Sequence, residues 1–470
     1  MERAGPCARR GGRWPRRFDL HADPRGGPEA RGLPRGEGES GRGPCESRRN
    51  AREGPVRAQR EARGGPRGAR PLAPAEPLRP ESAPRQGRAR EVRGRGTEGA
   101  LPEGARGDRT MKAVVLAGGE GTRLKPLTYR RPKPLMPVAG RPCIDYVLRA
   151  LESSGYNEII ITTAYLSDAL IKSIGDGLDY NASILYSFEE HPAGTAGAVR
   201  RVGNFIDETF VVAMGDILAD VDFKALYEFH KRKGGLATIA LTEVDDPTQY
   251  GIVGVDANGR IGKFREKPPK EEAFSRLANA GIYVLEPDVL DFIPPDQKFD
   301  FAKDLFPKLL AKGLPLFAQK LDGIWMDIGR PHDLWKASME VVRREGKPFH
   351  RSGVTSEGLV ILDSTAILQD GITLRGPCYV GPGALLLSGS VMDNACLYES
   401  TRLERDALVR NSIVLEGSVI GPNAEILDSV VSTNCIIEAG ARIASSIIRD
   451  DMTIRAGSRL EEATVSRPPE

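Results

Sequence analysis

A repeat in the C-terminal part of the sequence limits the folds that this chain can adopt. From about residue 358, apolar residues recur every six positions, with short polar or glycine-containing turns between them. A strand that turns a corner every six residues is typical of a left-handed parallel β-helix, a hexapeptide-type solenoid whose coils stack on one another. Ordinary β-hairpins, the alternative, would not keep one register for so long. The repeat comprises Ile361, Ile367, Tyr379, Leu385, Val391, Leu397, Leu403, Val409 and Leu415, with Thr373 as an exception, and, after a shift of register, Ile420, Ile426, Ile448, Ile454 and Leu460.

Residues 111 to about 345 have a different pattern, in which short apolar strands alternate with amphipathic helices. Strands are predicted at 114–116, 158–162, 210–213 and 237–241, and helices at 144–154 and 223–233. This alternation predicts an α/β domain with a Rossmann-like mixed sheet covered by helices on both faces. We therefore expect a first folded domain at 111–345 and the β-helix domain at 346–470, bridged by a helix at 333–344.

The first predicted strand runs into a glycine-rich turn. Glycine lets a backbone approach a phosphate closely and point consecutive N–H groups at it. Lys133 follows between two prolines, and arginine and lysine supply the fixed positive charge that a polyphosphate needs. A lone glycine-rich turn is common, but the whole segment favours a polyphosphate site. The turn contains Gly118, Gly119, Gly121, Thr122 and Arg123.

The segment 111–140 resembles the signature of the sugar-nucleotide pyrophosphorylases, or NDP-sugar nucleotidyltransferases, and the resemblance covers residues 111 to about 340. It implies an enzyme whose partners are an NTP and a sugar 1-phosphate. The sugar phosphate oxygen attacks the α-phosphorus in line, and pyrophosphate leaves. Because the attacking phosphate is already anionic, catalysis consists of positioning and electrostatic stabilisation.

The resemblance assigns roles to particular residues. Arg123 holds the β and γ phosphates, Lys133 reaches the α-phosphate and the sugar phosphate, and a Gly-Thr-Ala loop lies against the nucleobase. His191, beside that loop, is expected to be a surface residue. The implied nucleotide-binding residues are Leu116, Ala117, Gly118, Gly119, Gly121, Thr122, Gly194, Thr195 and Ala196.

Two aspartates are implied as Mg²⁺ ligands. Asp216 follows a buried strand in a Gly-Asp pair, and Asp327 follows Trp-Met. Mg²⁺ takes hard oxygen ligands, typically one or two carboxylates plus substrate phosphates. The sugar-phosphate site is implied by Tyr-Gly, Glu-Lys-Pro and Asn-Ala-Gly motifs, in which Lys267 is a third catalytic cation. Its residues are Tyr250, Gly251, Glu266, Lys267 and Asn279.

The motifs at 279–283 and 325–333 look most like those of mannose-1-phosphate guanylyltransferases, so GTP and mannose 1-phosphate are the expected substrates. Glucose-1-phosphate thymidylyl- or uridylyltransferases and N-acetylglucosamine-1-phosphate uridylyltransferases are the alternatives. A catalytically inactive, sugar-nucleotide-sensing subunit is an alternative of another class. It would lack cations or carboxylates that are retained here, namely Arg123, Lys133, Asp216, Lys267 and Asp327.

Histidine-dependent acyltransferases also use such solenoids. All five histidines lie before the repeat that begins at about residue 358, so we interpret the solenoid as an oligomerisation or regulatory module that forms a homo-oligomer. The four widely spaced cysteines beyond residue 110 form no C-x-x-C pair, which argues for a reducing compartment and against zinc. With no run of 18 apolar residues, we expect a cytoplasmic protein without a membrane partner.

Residues 1–110 differ from the rest in composition. They hold 26 Arg, no Lys and 15 acidic residues, a net charge of +11, whereas the rest hold 41 basic and 49 acidic residues, a net charge of −8. This leader also lacks Ile and Tyr, so it is expected to be disordered. We interpret it as translated upstream DNA, with Met111 as the natural start; a nucleic-acid-binding tail and a targeting peptide are the alternatives. No nucleic-acid partner is expected for the acidic folded part.

Overall fold

The computed structural model describes residues 111–466. The leader for which disorder and an upstream origin were predicted therefore lies outside the described residues. Within this part of the chain, no helix is long and apolar enough to cross a bilayer.

The first part of the described chain forms a nine-stranded sheet. The sheet is mixed, as predicted. Seven strands follow the order β10-β9-β11-β6-β1-β4-β5. The other two extend the sheet from β11: β8 pairs with β11, and β12 pairs with β8. Strands β5, β4, β1 and β6 are parallel, whereas β11 is antiparallel to β6. The strands of this part are β1 (Met111–Leu116), β2 (Pro137–Val138), β3 (Arg141–Pro142), β4 (Tyr156–Thr163), β5 (Ser183–Phe188), β6 (Phe210–Met214), β7 (Ile217–Ala219), β8 (Ala237–Glu243), β9 (Gly251–Val255), β10 (Ile261–Glu266), β11 (Leu277–Leu285), β12 (Leu316–Lys320) and β13 (Trp325–Asp327).

Helices cover both faces of the sheet. Parallel strands that are covered on both faces read as continuous apolar runs, as β1 and β6 do. Val115 and Ile161 belong to the core on the face with Val147 and Leu148 of α1, and Val114 belongs to the core on the opposite face with Val199 of α3. The helices are α1 (Cys143–Ser153), α2 (Ser167–Ile174), α3 (Gly194–Arg201), α4 (Phe223–Lys233), α5 (Phe306–Ala311) and α6 (Pro331–Glu345).

The remaining described residues form a parallel β-helix, which confirms the predicted solenoid. Its three sheets run β14-β16-β19-β22-β25-β28-β31-β34, β15-β18-β21-β24-β27-β30-β33 and β17-β20-β23-β26-β29-β32. The strands are β14 (Lys347–Pro348), β15 (Val354–Glu357), β16 (Leu359–Leu362), β17 (Ile367–Leu368), β18 (Ile372–Arg375), β19 (Cys378–Val380), β20 (Leu385–Leu386), β21 (Val391–Asp393), β22 (Cys396–Leu397), β23 (Arg402–Leu403), β24 (Leu408–Arg410), β25 (Ile413–Val414), β26 (Val419–Ile420), β27 (Glu425–Leu427), β28 (Val430–Val431), β29 (Ile436–Ile437), β30 (Arg442–Ala444), β31 (Ile447–Ile448), β32 (Thr453–Ile454), β33 (Arg459–Glu461) and β34 (Thr464–Val465).

The predicted six-residue register is wrong in part. From β19 onward, stacked residues are 17 positions apart, as in Tyr379 with Cys396, so each coil has two steps of six and one of five. In the earlier coils, stacked residues are 18 positions apart and the step of six holds, but the predicted row is one position out: Ile367 is 60% exposed, and the neighbouring Leu368 fills the core. The inward residues are Leu368, Leu374, Val380, Leu386, Met392, Leu397, Leu403, Val409, Val414, Ile420, Ile426, Val431, Ile437, Ile443, Ile448 and Ile454.

Polar residues shape the short corner of each coil. The residue at that corner has a positive φ at Asn394, Asn411 and Asp428, and asparagine and aspartate tolerate this conformation best after glycine. Directly after the corner residue, buried serines form a ladder: Ser412 accepts from the Ser429 amide at 3.0 Å, and Ser429 from the Ser446 amide at 3.0 Å. These bonds satisfy backbone donors that the tight corner leaves buried.

The outer face of one solenoid sheet packs against the α/β part. Helix α6, predicted at 333–344, lies at this boundary, and its Leu334 and Val342 share a core with Tyr379 and Ile413 of the solenoid. The Trp335 indole N–H also donates to the Asn394 carbonyl at 2.8 Å. The solenoid therefore directly contacts helix α6, which begins four residues after the predicted metal ligand Asp327.

Candidate active site

A cavity of about 450 Å³ lies at the carboxyl ends of β1 and β6, where the predicted site residues come together. Residues separated by more than 200 positions in sequence share its wall, as in Leu116 and Asp327. The predicted residues on the wall are Leu116, Ala117, Gly118, Gly119, Arg123, Lys133, Gly194, Thr195, Asp216, Tyr250, Gly251, Glu266, Lys267, Asn279 and Asp327.

Three residues predicted to bind nucleotide do not line this cavity. Gly121 has φ +61°, and a Cβ there would lie 2.9 Å from the Lys133 Cβ, so this glycine lets the loop pack on the Lys133 side chain. Thr122 is exposed at the start of a helical turn. Ala196 is fully buried, and its amide donates to the Phe299 carbonyl at 2.9 Å.

Lys133 is the centre of the charged wall. Its ammonium donates to Asp216 Oδ2 at 2.7 Å and to Asp327 Oδ1 at 3.0 Å. The Lys133 side chain is only 7% exposed, and Pro132 and Pro134 flank the residue in a tight turn. Burial would lower the pKa of Lys133, but the two carboxylates raise it above its ordinary value. Lys133 is therefore a permanent cation at neutral pH.

The carboxylates are brought together by a small antiparallel sheet. Strands β7 and β13 pair, which puts Asp327 opposite Ile217 and thus beside Asp216. Arg123 donates to Asp327 Oδ2 at 3.3 Å, and more than half of the Arg123 side chain is exposed. Burial would raise the pKa of Asp327, but Lys133 and Arg123 hold it below its ordinary value. Asp327 is therefore ionised, and the exposed part of the Arg123 side chain is accessible to a ligand.

The two aspartates suit a divalent cation whose other ligands come from substrate. Both carboxylates point at one Lys133 ammonium, so their oxygens converge on a single point. Among residues 111–466, no group of three or more histidine, cysteine, aspartate or glutamate side chains could hold a metal ion. Mg²⁺ commonly uses one or two carboxylates and completes its shell with phosphate oxygens and water. Two carboxylates match the protein share of such a shell, while in this structure the Lys133 ammonium lies at the point on which they converge.

Aromatic residues support the floor of the cavity. The Trp325 indole N–H donates to the Ala280 carbonyl at 2.6 Å. The Trp325 and Tyr250 rings meet edge to face, with their centroids 5.6 Å apart. Burial and the nearby Asp327 raise the pKa of Tyr250 to about 12, so its hydroxyl stays protonated. Asn279 accepts from the Gly281 amide at 2.9 Å and donates to the Tyr283 hydroxyl at 3.0 Å, which fixes its amide in one orientation.

Glu266 and Lys267 stand at the end of β10. A Cβ on Gly251 would lie 2.6 Å from the Glu266 carboxylate, so any larger residue there would displace this carboxylate from its observed position. Burial raises the pKa of Glu266, although Lys267 and Lys303 oppose the shift. Lys267 has φ +46°, and its amide donates to the Tyr250 carbonyl at 3.0 Å. A non-glycine residue in the left-handed region at a cavity wall is typical of a functional position.

The sequence motifs missed several residues of the wall, among them Glu189, Asp300 and Lys303. Asp300 accepts from the Thr195 amide at 3.1 Å and from its hydroxyl at 3.3 Å, which ties the Gly-Thr-Ala loop to the chain before α5. Glu189 lies five positions before the Gly-Thr-Ala loop and could have been found there, whereas no motif marked Asp300 or Lys303. His191 is exposed, as predicted.

Comparison with known proteins agrees with this geometry. The family described as "Nucleotidyl transferase" matches residues 112–344, and the "GlmU-like, C-terminal hexapeptide" family matches residues 377–450. The chain is 36% identical over 337 residues to a UTP–glucose-1-phosphate uridylyltransferase of Synechocystis, covering 65% of this chain and 87% of that protein.

Two further relatives carry a different name. A mannose-1-phosphate guanylyltransferase of Mycobacterium tuberculosis is 34% identical over 304 residues, covering 64% of this chain and 83% of the relative. Mannose-1-phosphate guanylyltransferase 1 of Arabidopsis thaliana is 33% identical over 320 residues, covering 66% of this chain and 88% of the relative. The similarity thus spans both the α/β part and much of the solenoid.

Proposed function

This chain belongs to the nucleotidyl transferase family as a sugar-1-phosphate nucleotidyltransferase, and from that premise we propose that it converts GTP and mannose 1-phosphate into GDP-mannose and pyrophosphate. The observation that carries the proposal is the convergence of Lys133, Asp216, Asp327 and Arg123 on one wall of the cavity. This arrangement brings cations and carboxylates together at one point and suits the transfer of a nucleotidyl group.

The proposed mechanism uses these charges without a protein nucleophile. The phosphate oxygen of mannose 1-phosphate attacks the α-phosphorus of GTP, and the bond to the β-phosphate oxygen breaks. Lys133 stabilises negative charge that develops on the α-phosphate, and Arg123 holds the leaving pyrophosphate. Because the raised pKa keeps Lys133 protonated, this stabilisation does not vary with pH near neutrality.

Asp216 and Asp327 would hold Mg²⁺, which supplies further charge neutralisation between the two phosphates when bound. Lys267, whose amide donates to the Tyr250 carbonyl, would pair with the sugar phosphate, and Glu266 would accept hydrogen bonds from sugar hydroxyls. The fixed amide of Asn279 provides a further polar contact for the sugar. Orienting both reactants in this way lowers the entropic part of the barrier.

Glu189 supports guanine as the base. Its Oε2 accepts from the Ala193 amide at 3.0 Å, and its Oε1 lies 3.4 Å from the place where a Cβ of Gly118 would be. An ionised carboxylate only accepts hydrogen bonds. Guanine offers two adjacent donors, N1–H and N2–H, whereas uracil and thymine offer one donor between two carbonyl oxygens that a carboxylate would repel.

A second candidate is the transfer of UMP from UTP to glucose 1-phosphate. It is favoured by the Synechocystis relative, whose name describes that reaction. The two candidates differ at the base, so Glu189 separates them.

The test is a pyrophosphate-release panel with the full chain and Mg²⁺, crossing GTP, UTP, dTTP, ATP and CTP with the 1-phosphates of mannose, glucose and N-acetylglucosamine. We expect the highest kcat/KM with GTP and mannose 1-phosphate. Glu189→Gln should lower the preference for GTP over UTP by about tenfold or more. Glu190→Gln, at the exposed neighbouring position, is the matched control and should leave the preference unchanged.

A higher kcat/KM with UTP would reject the guanylyl proposal in favour of the second candidate. Absence of turnover with every pair, in a folded protein, would favour a subunit that binds sugar nucleotides without converting them.

We also propose that the chain forms a homo-oligomer through the solenoid. On the sheet that contains β17 and β29, Ile367, Leu385, Arg402, Val419 and Ile436 stack in one outward row, in which Ile367 and Ile436 are 60% and 48% exposed. Isolated exposed apolar residues are ordinary, but a row that is apolar at four of these five positions suits a partner surface. Light scattering of the full chain and of Ile367→Glu/Ile436→Glu tests this; a wild-type monomer would contradict it.

A further inference from the structure

The solenoid contacts the same short segment that carries Lys133. We propose that the Arg131–Glu416 ion pair is a positioning device for Lys133, so that the solenoid sets the geometry of the active site. The inference rests on the proposed function, in which Lys133 acts on the α-phosphate. It gives the solenoid a role in turnover beyond oligomerisation.

The ion pair has a well-defined geometry. Arg131 Nη1 and Nη2 donate to Glu416 Oε1 and Oε2, each at 3.0 Å, in a two-pronged arrangement. Both side chains are about three-quarters buried, at 27% and 26% exposure, so solvent screens the pair less than an ordinary surface pair. The Thr433 hydroxyl donates to Glu416 Oε2 at 3.1 Å and so orients the carboxylate. Burial would raise the pKa of Glu416, but Arg131 holds it below its ordinary value.

Other contacts hold the segment on both sides of Lys133. Before it, Arg130 pairs with Asp451 of the solenoid. After it, the buried Tyr398 hydroxyl donates to the Pro137 carbonyl at 2.7 Å. Residues 130–137 therefore lie on the solenoid at both ends, while the Lys133 ammonium extends from the middle into the cavity.

The chain between Arg131 and Lys133 is stiff. Only Pro132 separates them, with φ −64° and ψ 147°, and its ring fixes φ. Pro134 follows Lys133, which restricts the lysine backbone as well. A shift of Arg131 therefore moves the Lys133 backbone, and its ammonium is already committed to two carboxylates at 2.7 and 3.0 Å. Small displacements of a catalytic group can cost up to about 10²-fold in rate.

The test compares two glutamates of the solenoid. Glu416→Gln removes the charge of the positioning pair and keeps the side-chain size. Glu425→Gln removes the same charge from Glu425–Arg442, a pair formed wholly within the solenoid. Because the cavity that binds substrate is intact in both variants, we expect Glu416→Gln to lower kcat on the order of tenfold and to change KM for either substrate less than about twofold. Glu425→Gln should match the wild type.

A charge exchange and an activity-independent readout complete the experiment. Arg131→Glu/Glu416→Arg should recover most of kcat, whereas each single reversal should not. Amide hydrogen exchange of residues 127–139 should be faster in Glu416→Gln than in Glu425→Gln. Equal kcat and equal exchange in the two glutamine variants would overturn the inference. If the wild type itself turns over no substrate pair, the proposed function fails, and the exchange of residues 127–139 alone then decides whether Glu416 positions the segment.

Discussion

Replacing Lys133 with methionine would remove the cation at the centre of the charged wall and keep an unbranched side chain of similar length. Two carboxylates would then face each other without the ammonium that they contact at 2.7 and 3.0 Å. Asp216 is 31% exposed and remains hydrated, but Asp327 is 18% exposed and keeps only Arg123 at 3.3 Å. The unpaired charge should cost about 2 kcal/mol of unfolding free energy, and turnover should fall about 10²–10³-fold.

The assay pairs pyrophosphate release with urea-induced unfolding at neutral pH. Mg²⁺ should stabilise Lys133→Met more than the wild type, because the divalent cation replaces the missing charge between the carboxylates. Lys112→Met is the control: Lys112 pairs with Asp207, whose side chain is 80% exposed, so this substitution should leave turnover unchanged. A Lys133→Met variant with turnover within threefold of the wild type, on the order of the scatter among neutral substitutions, would refute the assigned role.

Three further predictions follow from single contacts. Asp216→Asn should abolish turnover but keep the wild-type unfolding midpoint, since the side chain is 31% exposed; a large loss of stability would indicate a structural role instead. Ser429→Ala should cost about 1–3 kcal/mol in urea unfolding, because the Ser446 amide loses its acceptor, whereas an unchanged midpoint would contradict the serine ladder. The folded-state pKa of Asp327 is depressed, so the stability that its ionised carboxylate contributes is present above its ordinary pKa of 3.8 and is lost as the pH falls below that value. Asp327→Asn should therefore lose less unfolding free energy than the wild type over this acid range. Identical acid-unfolding curves for the two proteins would contradict the prediction.

The site could be predicted largely from the sequence because its charged residues are carried by short local motifs. Lys133 between prolines and Asp216 after a buried strand are visible without any structure. What the sequence could not provide is the pairing of β7 with β13, which puts Asp327 beside Asp216. Asp300 was missed for the same reason: its contact with Thr195 joins distant segments, and no local motif marks it.

The solenoid illustrates a different limit. Its existence followed from periodicity, but a fixed step of six drifts by one residue in each 17-residue coil. Because both residues of a pair such as Ile367 and Leu368 are apolar, the pattern does not show which one faces inward. The contact of Glu416 with Arg131 was equally invisible, since it depends on how the solenoid docks on the α/β part.

The most direct test of the account is to incubate the full chain with Mg²⁺, GTP labelled at the α-phosphate and mannose 1-phosphate, and to follow the label by chromatography. The account predicts that the label appears in GDP-mannose with one pyrophosphate released per product, and that Asp327→Asn abolishes both. Equal product formation by wild type and Asp327→Asn, or no labelled nucleotide sugar from a folded wild-type protein, would contradict it.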